Sequence, residues 1–318
     1  HQMFTDPELG DLLAAAGDEV SSQDPDSDPA RIVKVLTRER NKAVKLPTRL
    51  VADLARETAL AQQAWAKARA ENDFPAFLPH LERVIALTLE KAEALGYEES
   101  PYDPLLDEYE PDMRAAQVRE VFGELRGELV PLVEAIADRP KPDDACLRTG
   151  YDSDGQWRFG EAVIADFGFD FERGRQDRSA HPFSTNFSTT DVRITTRVDE
   201  DFLPSALFGT LHEAGHAMYE QGVDGALDRT GLANGTSLGV HESQSRLWEN
   251  MVGRSLPFWR HYYPKLQAAF PAQLADVPLD AFHRAVNRVE PSLIRVEADE
   301  VTYNLHAVSY THLRAHET

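Results

Sequence analysis

Apolar residues recur three and four apart along most of this chain, the spacing of amphipathic helices. Residues 46–72 place Leu50, Val51, Leu54, Leu60 and Trp65 on one face among strong helix formers. Residues 74–96 repeat the pattern with Phe77, Leu78, Leu81, Val84, Ile85 and Leu89, and Gly96 supplies a stop. A third long helix is predicted over 112–137, carried by Val118, Val121, Phe122, Leu125, Leu129 and Val133, with Pro140 and Pro142 marking the connection after it. Residues 190–198 break the rhythm. There Val192, Ile194 and Val198 alternate with Asp191, Arg193, Thr195 and Arg197, which predicts one strand in an otherwise helical chain. Helices are predicted again over 203–222, 241–254, 278–288 and 291–307. The acidic stretch 21–28 reads as a solvated loop, and no internal repeat or low-complexity tract is present. The expectation is a mostly α, single-domain protein with a small β element.

Composition narrows the class. The 318 residues are 42% hydrophobic and 27% charged, a globular balance. No apolar run reaches the roughly 20 residues of a spanning helix, and no signal peptide opens the chain, so no membrane partner is expected. The formal charge of −21 disfavours a phosphate-backbone partner, since nucleic-acid affinity rests on Lys and Arg. The 7 lysines against 26 arginines fit either a high-salt interior or a GC-rich genome. The one cysteine, Cys146, cannot form an internal disulfide, which makes a reducing cytoplasm the expected compartment.

The chemistry sits in His212-Glu213-Ala214-Gly215-His216, an H-E-x-x-H sequence inside the helix predicted over 203–222. Four-residue spacing puts both imidazoles on one helical face, with Glu213 beside the first. A hydrolytic zinc needs three protein ligands and one open position, and a neighbouring carboxylate to move the water's proton. The flanks Leu211, Ala214, Gly215, Ala217 and Met218 are small or apolar, so the helix is expected to be buried; two buried histidines without a ligand would be costly. A third ligand must come from another element. His241 and Glu242, at the start of the next helix, are both eligible on spacing alone. Arg246 at i+4 from Glu242, with Glu249 beyond, also allows a surface ion pair.

Taken with its surroundings, this segment is similar to a known family. HEAGHAMYEQG followed by SLGVHESQSRLWENMVGRS resembles the carboxypeptidase Taq family of zinc metallocarboxypeptidases. The same family is indicated by His181-Pro182-Phe183 (HPF), by Asp191, Arg193 and Thr195 (DxRxT), by His241-Glu242-Ser243, and by Ile294-Arg295 with Ala298-Asp299 (IRxxAD). PYDPLLDEYEP over 101–111 also looks like family sequence, so the resemblance covers about residues 1–307. It implies a helical, gluzincin-like metallopeptidase fold and one Zn2+ per chain, for which Co2+ can substitute. It implies His212, His216 and Glu242 as metal ligands and Glu213 as general base. Peptides with a free C-terminal carboxylate are the implied substrates, and a homodimer the implied assembly. Arg295 is the first candidate for that carboxylate, because guanidinium binds it through two parallel bonds; the alternative is an intrahelical pair with Asp299. His181, held extended by the following proline, is a substrate contact or a turn anchor. Arg193 contacts substrate or pairs with Asp191.

Two departures accompany the resemblance. Family members run longer at both ends, and their later GxxQDxHW motif is absent, so a truncated domain over 1–307 is expected. Residues 308–318, VSYTHLRAHET, resemble a translated sequencing adapter rather than family sequence, and the His312/His316 pair within them is read as a decoy. The rival readings are an oligoendopeptidase on the same zinc core and a catalytically inactive helical zinc-binding fragment.

Overall fold

The computed structural model describes residues 1–179, 181–291 and 298–313, with side chains described up to residue 307. The chain forms two compact units, one of residues 1–115 with 230–232 and one of residues 116–229 with 233–318. In the first, α1 (Pro7–Val20) pairs with α2 (Asp28–Ala43), and α3 (Thr48–Glu71) with α4 (Phe74–Leu95). The α3–α4 hairpin turns tightly because Asn72 adopts a left-handed conformation and the Asp73 side chain accepts from Ala76 N–H, capping α4. Gly96, at φ 83°, ends α4 where the sequence predicts. Leu50 and Leu87 are fully buried between the two helices, whereas Leu60, Trp65, Ile85 and Leu89 on the predicted stripes are exposed. The short α5 (Asp103–Leu106) follows, near the ion pairs of Arg38 with Asp107 and Asp112.

The second unit carries α6 (Ala115–Ala137) and α7 (Ser153–Phe167), then three strands, β1 (Gly174–Arg178), β2 (Phe183–Ser188) and β3 (Asp191–Thr196). The expected lone strand is therefore the centre of a sheet ordered β1-β3-β2, with β1 parallel and β2 antiparallel to β3. The two flanking strands escape a periodicity reading because GRQDR and FSTNFS have little apolar alternation; pairing with β3 makes them strands. Val192 and Ile194 point into the core as predicted. Thr195 is buried on the other face, where its Oγ1 accepts from Phe183 N–H and bonds the Ser179 hydroxyl.

After the sheet come α8 (Leu203–Gln221), α9 (Leu238–Arg246), which widens into a π-helical turn at Leu247–Val252, α10 (Leu256–Ala269), α11 (Pro271–Leu274), α12 (Leu279–Val286) and α13 (Glu300–Leu313). The core of this unit joins Ile164 of α7, Val192 and Ile194 of β3, Leu207 and Leu211 of α8, Trp259 and Leu266 of α10, and Phe282 of α12. Trp259 is fully buried, and Trp157 is half-buried with the Arg178 guanidinium over its ring. Part of the helix predicted over 291–307 lies outside the described residues; α13 begins at Glu300, where Asp299 caps it by accepting from Val301 and Thr302 N–H. The fold is thus mostly α with a small sheet. Among the described residues, no helix is long and apolar enough to cross a membrane.

Candidate metal centre

Helix α8 presses its apolar side into the core, with Leu211, Ala214 and Ala217 all at 0% exposure, and this orients the opposite side of the same turns toward α9. His212 and His216 project from that side with ring centroids 4.9 Å apart. Ser237 caps α9, its Oγ accepting from Val240 N–H, so Glu242 falls in the second turn facing the two rings. Glu242 Oε2 lies 3.3 Å from His216 Nε2 and 3.6 Å from His212 Nε2. Of the described residues, His212, His216 and Glu242 form the only His/Cys/Asp/Glu group whose ligand atoms converge for a metal ion, all within 4.8 Å of one another.

The donor set suits a divalent metal. Four ligands arranged tetrahedrally at about 2.0–2.2 Å stand about 3.3–3.6 Å apart, close to the two nitrogen–oxygen separations here. Two neutral imidazoles and one carboxylate are also the mixed N/O set that such ions take with a fourth position open.

Each imidazole meets a partner through its other nitrogen. His212 Nδ1 lies 2.8 Å from Glu249 Oε2, so its ring hydrogen is directed at a carboxylate and Nε2 is left as the acceptor facing Glu242. His216 Nδ1 lies 2.6 Å from His241 Nδ1. Arg246 bridges the acids of α9, donating from Nε to Glu242 Oε1 at 2.8 Å and from a terminal nitrogen to Glu249 Oε2 at 3.2 Å. The π-helical turn carries Glu249 and closes with Gly253 N–H donating to Trp248 C=O, five residues back. A β-carbon at Gly253 would come within 2.6 Å of Leu211 Cδ1, so this turn sits directly on α8. The Glu242–Arg246 ion pair that the sequence allows is present, and Glu249, only 15% exposed, joins it from the inner side.

The electrostatics separate the acids. Burial pushes Glu213 up to about 7, and the negative Glu242 and Glu249 add to this against the opposing His212 and His241. Burial acts on Glu242 in the same sense, but the His216 hydrogen bond, His212 and Arg246 together outweigh it and hold it at about 2. Glu249 is likewise drawn below the usual carboxylate range, burial being overcome by His212, Arg246 and Arg254. One acid of the cluster is therefore poised to exchange a proton near neutrality, while the acids facing the imidazoles stay ionised.

The remaining candidates are more dispersed. His181 has an exposed side chain, and its carbonyl accepts from the Ser179 hydroxyl at 2.6 Å. Arg193 forks onto both oxygens of Asp191 at 2.8 Å and lies over the Phe187 ring. Arg295 lies outside the described residues, as do the side chains of His312 and His316. Sequence reasoning overlooked Glu220 and Glu249 as neighbours of the site. The signal for Glu220 was an acid one turn beyond His216 on a helix whose flanks are apolar.

A helical metallopeptidase fold with an H-E-x-x-H helix facing a glutamate-bearing helix is the class that this geometry defines. Residues 1–313 match the family described as Carboxypeptidase Taq (M32) metallopeptidase, and the chain belongs to that family. It is 47% identical over 316 residues to thermostable carboxypeptidase 1 of Thermus thermophilus, covering 96% of this chain and 62% of that protein. Carboxypeptidase 1 of Bacillus subtilis is 40% identical, with 95% and 59% covered. The crystal structure of the M32 carboxypeptidase from Deinococcus radiodurans superimposes with a TM-score of 0.90 at 45% identity, covering 99% of this chain and 63% of that one. The chain therefore spans about three fifths of the length of the curated relatives it matches.

Proposed function

We propose that this chain carries the catalytic centre of a zinc metallocarboxypeptidase, which releases amino acids one at a time from the C-terminus of peptides. The observation that carries this reading is the convergence of His212 Nε2, His216 Nε2 and Glu242 Oε2 beside the buried Glu213. In this reading those three side chains hold Zn2+, with Co2+ able to replace it. The ion supplies Lewis acidity toward the scissile carbonyl and lowers the pKa of water. Glu213 takes one proton from the attacking water and returns it to the leaving amine, so the peptide C–N bond breaks as the new C–O bond forms. Arg246 and Glu249 hold Glu242 and His212 in place.

Arg295 is assigned to the substrate's terminal carboxylate, with His181 and Arg193 as further contacts along the peptide. A cytoplasmic homodimer completes the reading, supported by the single cysteine and by membership of the family. The test is one peptide offered to the zinc-loaded protein as free acid and as C-terminal amide, followed by mass spectrometry. Stepwise shortening of the free acid alone supports the carboxypeptidase. Internal cuts in both forms would replace it with an endopeptidase on the same centre, and no cleavage of either by the full-length protein would overturn the reading.

A further inference from the structure

His216 reaches the site through Nε2, so its other nitrogen needs a physical account. The rings of His216 and His241 lie in nearly parallel planes, 21° apart, with centroids 4.5 Å apart and the two Nδ1 atoms 2.6 Å apart. Beyond them, His241 Nε2 lies 2.7 Å from Glu220 Oε1, and Asn186 Nδ2 donates to Glu220 Oε2 at 2.8 Å. Glu220 is 6% exposed, one turn after His216 on α8; His241 stands on α9 and Asn186 on β2. The chain of contacts therefore ties three elements together behind one imidazole.

Two ring nitrogens at this distance share one hydrogen, so one donates and the other accepts. With His216 neutral and its Nε2 lone pair turned to the metal position, its hydrogen is on Nδ1 and His241 Nδ1 accepts. His241 then carries its own hydrogen on Nε2, pointing at the Glu220 carboxylate. The reverse order places a hydrogen on His216 Nε2, which blocks the ligand atom, and turns the Nε2 lone pair of a neutral His241 against a carboxylate oxygen. With a metal ion at His216 Nε2 and both rings neutral, the first arrangement alone satisfies all three contacts, whereas in the metal-free protein Nε2 faces Glu242 Oε2 at 3.3 Å. Neither His241 nitrogen is left facing Glu242, so the eligibility that sequence spacing gave His241 as a ligand has no atom to serve it.

We propose that His241 and Glu220 are positioning residues, which hold His216 as the Nδ1–H tautomer with Nε2 free to take a divalent metal ion. This rests on the proposed metal-binding role of His212, His216 and Glu242. The same logic operates at His212, where Glu249 occupies the corresponding place.

The experiment measures Zn2+ affinity by competition with a chelating dye for the full chain and for Glu242→Gln, His241→Phe, His241→Gln and Glu220→Gln, without reference to turnover. His241→Phe keeps a ring but cannot accept, and Zn2+ affinity should fall by about 10–100-fold; His241→Gln, which restores an acceptor, should recover most of it. Glu220→Gln should give a smaller loss in the same direction. Nitrogen-15 NMR of the unsubstituted, metal-free protein reads the tautomer before any ion imposes it and does not depend on any variant folding. A His216 hydrogen on Nδ1 supports the proposal, and one on Nε2 overturns it. Wild-type affinity in His241→Phe, with affinity lost in Glu242→Gln, overturns the positioning role alone. Wild-type affinity in Glu242→Gln removes the metal reading beneath it.

Discussion

Gly215, the central glycine of the H-E-x-x-H segment, lies against the backbone of Ser245: a β-carbon there would come within 2.6 Å of Ser245 Cα and 2.7 Å of Gln244 C=O. α8 and α9 touch at this point without a side chain between them. Glu242 is three residues before Ser245 on α9, so the contact sets how far the carboxylate stands from the two imidazoles. Because the colliding atoms are backbone, Gly215→Ala must push the helices apart. We expect a stability loss of about 1–3 kcal/mol from overpacking and, in the full-length protein, about 100-fold lower turnover from the displaced ligand. Thermal unfolding and peptide hydrolysis check the two effects, and a wild-type-like Gly215→Ala would show that α9 is free to move.

Glu213→Gln separates base from ligand. Glutamine preserves shape and burial but cannot take a proton from water. Turnover should fall by about 10²–10⁴-fold, while Zn2+ affinity stays near wild type because Glu213 is outside the converging donor set. Parallel hydrolysis and metal titration would show whether both hold. Retained turnover would remove Glu213 from the base role.

How much of this was legible in the sequence depended on the range of the interaction. Helical periodicity is local, so the burial of Leu211, Ala214 and Ala217 and the shared face of His212 and His216 followed from spacing within one helix. The contacts of Glu249 with His212 and of His241 with His216 span 37 and 25 residues, and they exist only because α9 docks on α8 in one register. Spacing could not choose between His241 and Glu242 for the same reason. The sheet was legible only at its centre: β3 alternates, but β1 and β2 gain their conformation from pairing, and Thr195, on the polar side of that alternation, is buried with its hydroxyl bonded to Phe183 N–H and Ser179.

Glu249 has two kinds of partner, and the two substitutions there should behave differently. Glu249→Gln keeps the volume but removes the charge opposite His212 Nδ1, and Zn2+ affinity should fall by about 10–100-fold. Both variants also take the counter-charge from Arg246 and from Arg254, whose nearest nitrogen is 4.0 Å away. Glu249→Ala further removes the oxygen that glutamine keeps as an acceptor for Arg246, and it should be the less stable of the two by about 1.5–3 kcal/mol. Chelator competition and denaturant unfolding distinguish the two effects, and equal stability of both variants would show that this hydrogen bond adds nothing.

Asp299 caps the start of α13. Its Oδ1 accepts from Val301 and Thr302 N–H, and its Oδ2 accepts from Glu290 N–H and the Thr302 hydroxyl. Asp299→Ala should destabilise the chain by about 0.5–2 kcal/mol through the lost cap. Asp299→Asn, which keeps one oxygen for the backbone donors, should recover part of that. Hydrogen exchange at Val301 and Thr302 would localise the effect; unchanged protection in Asp299→Ala would show that the cap is dispensable.

Glu213 also makes stability depend on pH in the metal-free protein. Burial raises its carboxyl from an ordinary value of 4.5 to about 7, so between those values the folded chain holds a proton that the unfolded chain has released. Its contribution is fully present below pH 4.5 and is lost as pH rises to about 7, amounting to about 3 kcal/mol at roughly 1.4 kcal/mol per unit. Glu242 and Glu249 are drawn the other way, so their contributions disappear only as pH falls below the ordinary carboxylate range. His212, raised above the ordinary imidazole value by Glu249 and Glu242 despite its burial, loses its contribution as pH rises past 6.5 and overlaps the upper end of this window. Comparing wild type with Glu213→Gln isolates the Glu213 effect, because glutamine has no proton to release. Denaturant unfolding at half-unit steps from pH 4.5 to 8 should show wild type losing ground to Glu213→Gln across the window, with the gap levelling off above pH 7. A gap that stayed constant from pH 4.5 to 8 would mean that Glu213 ionises as easily in the folded chain as in the unfolded one.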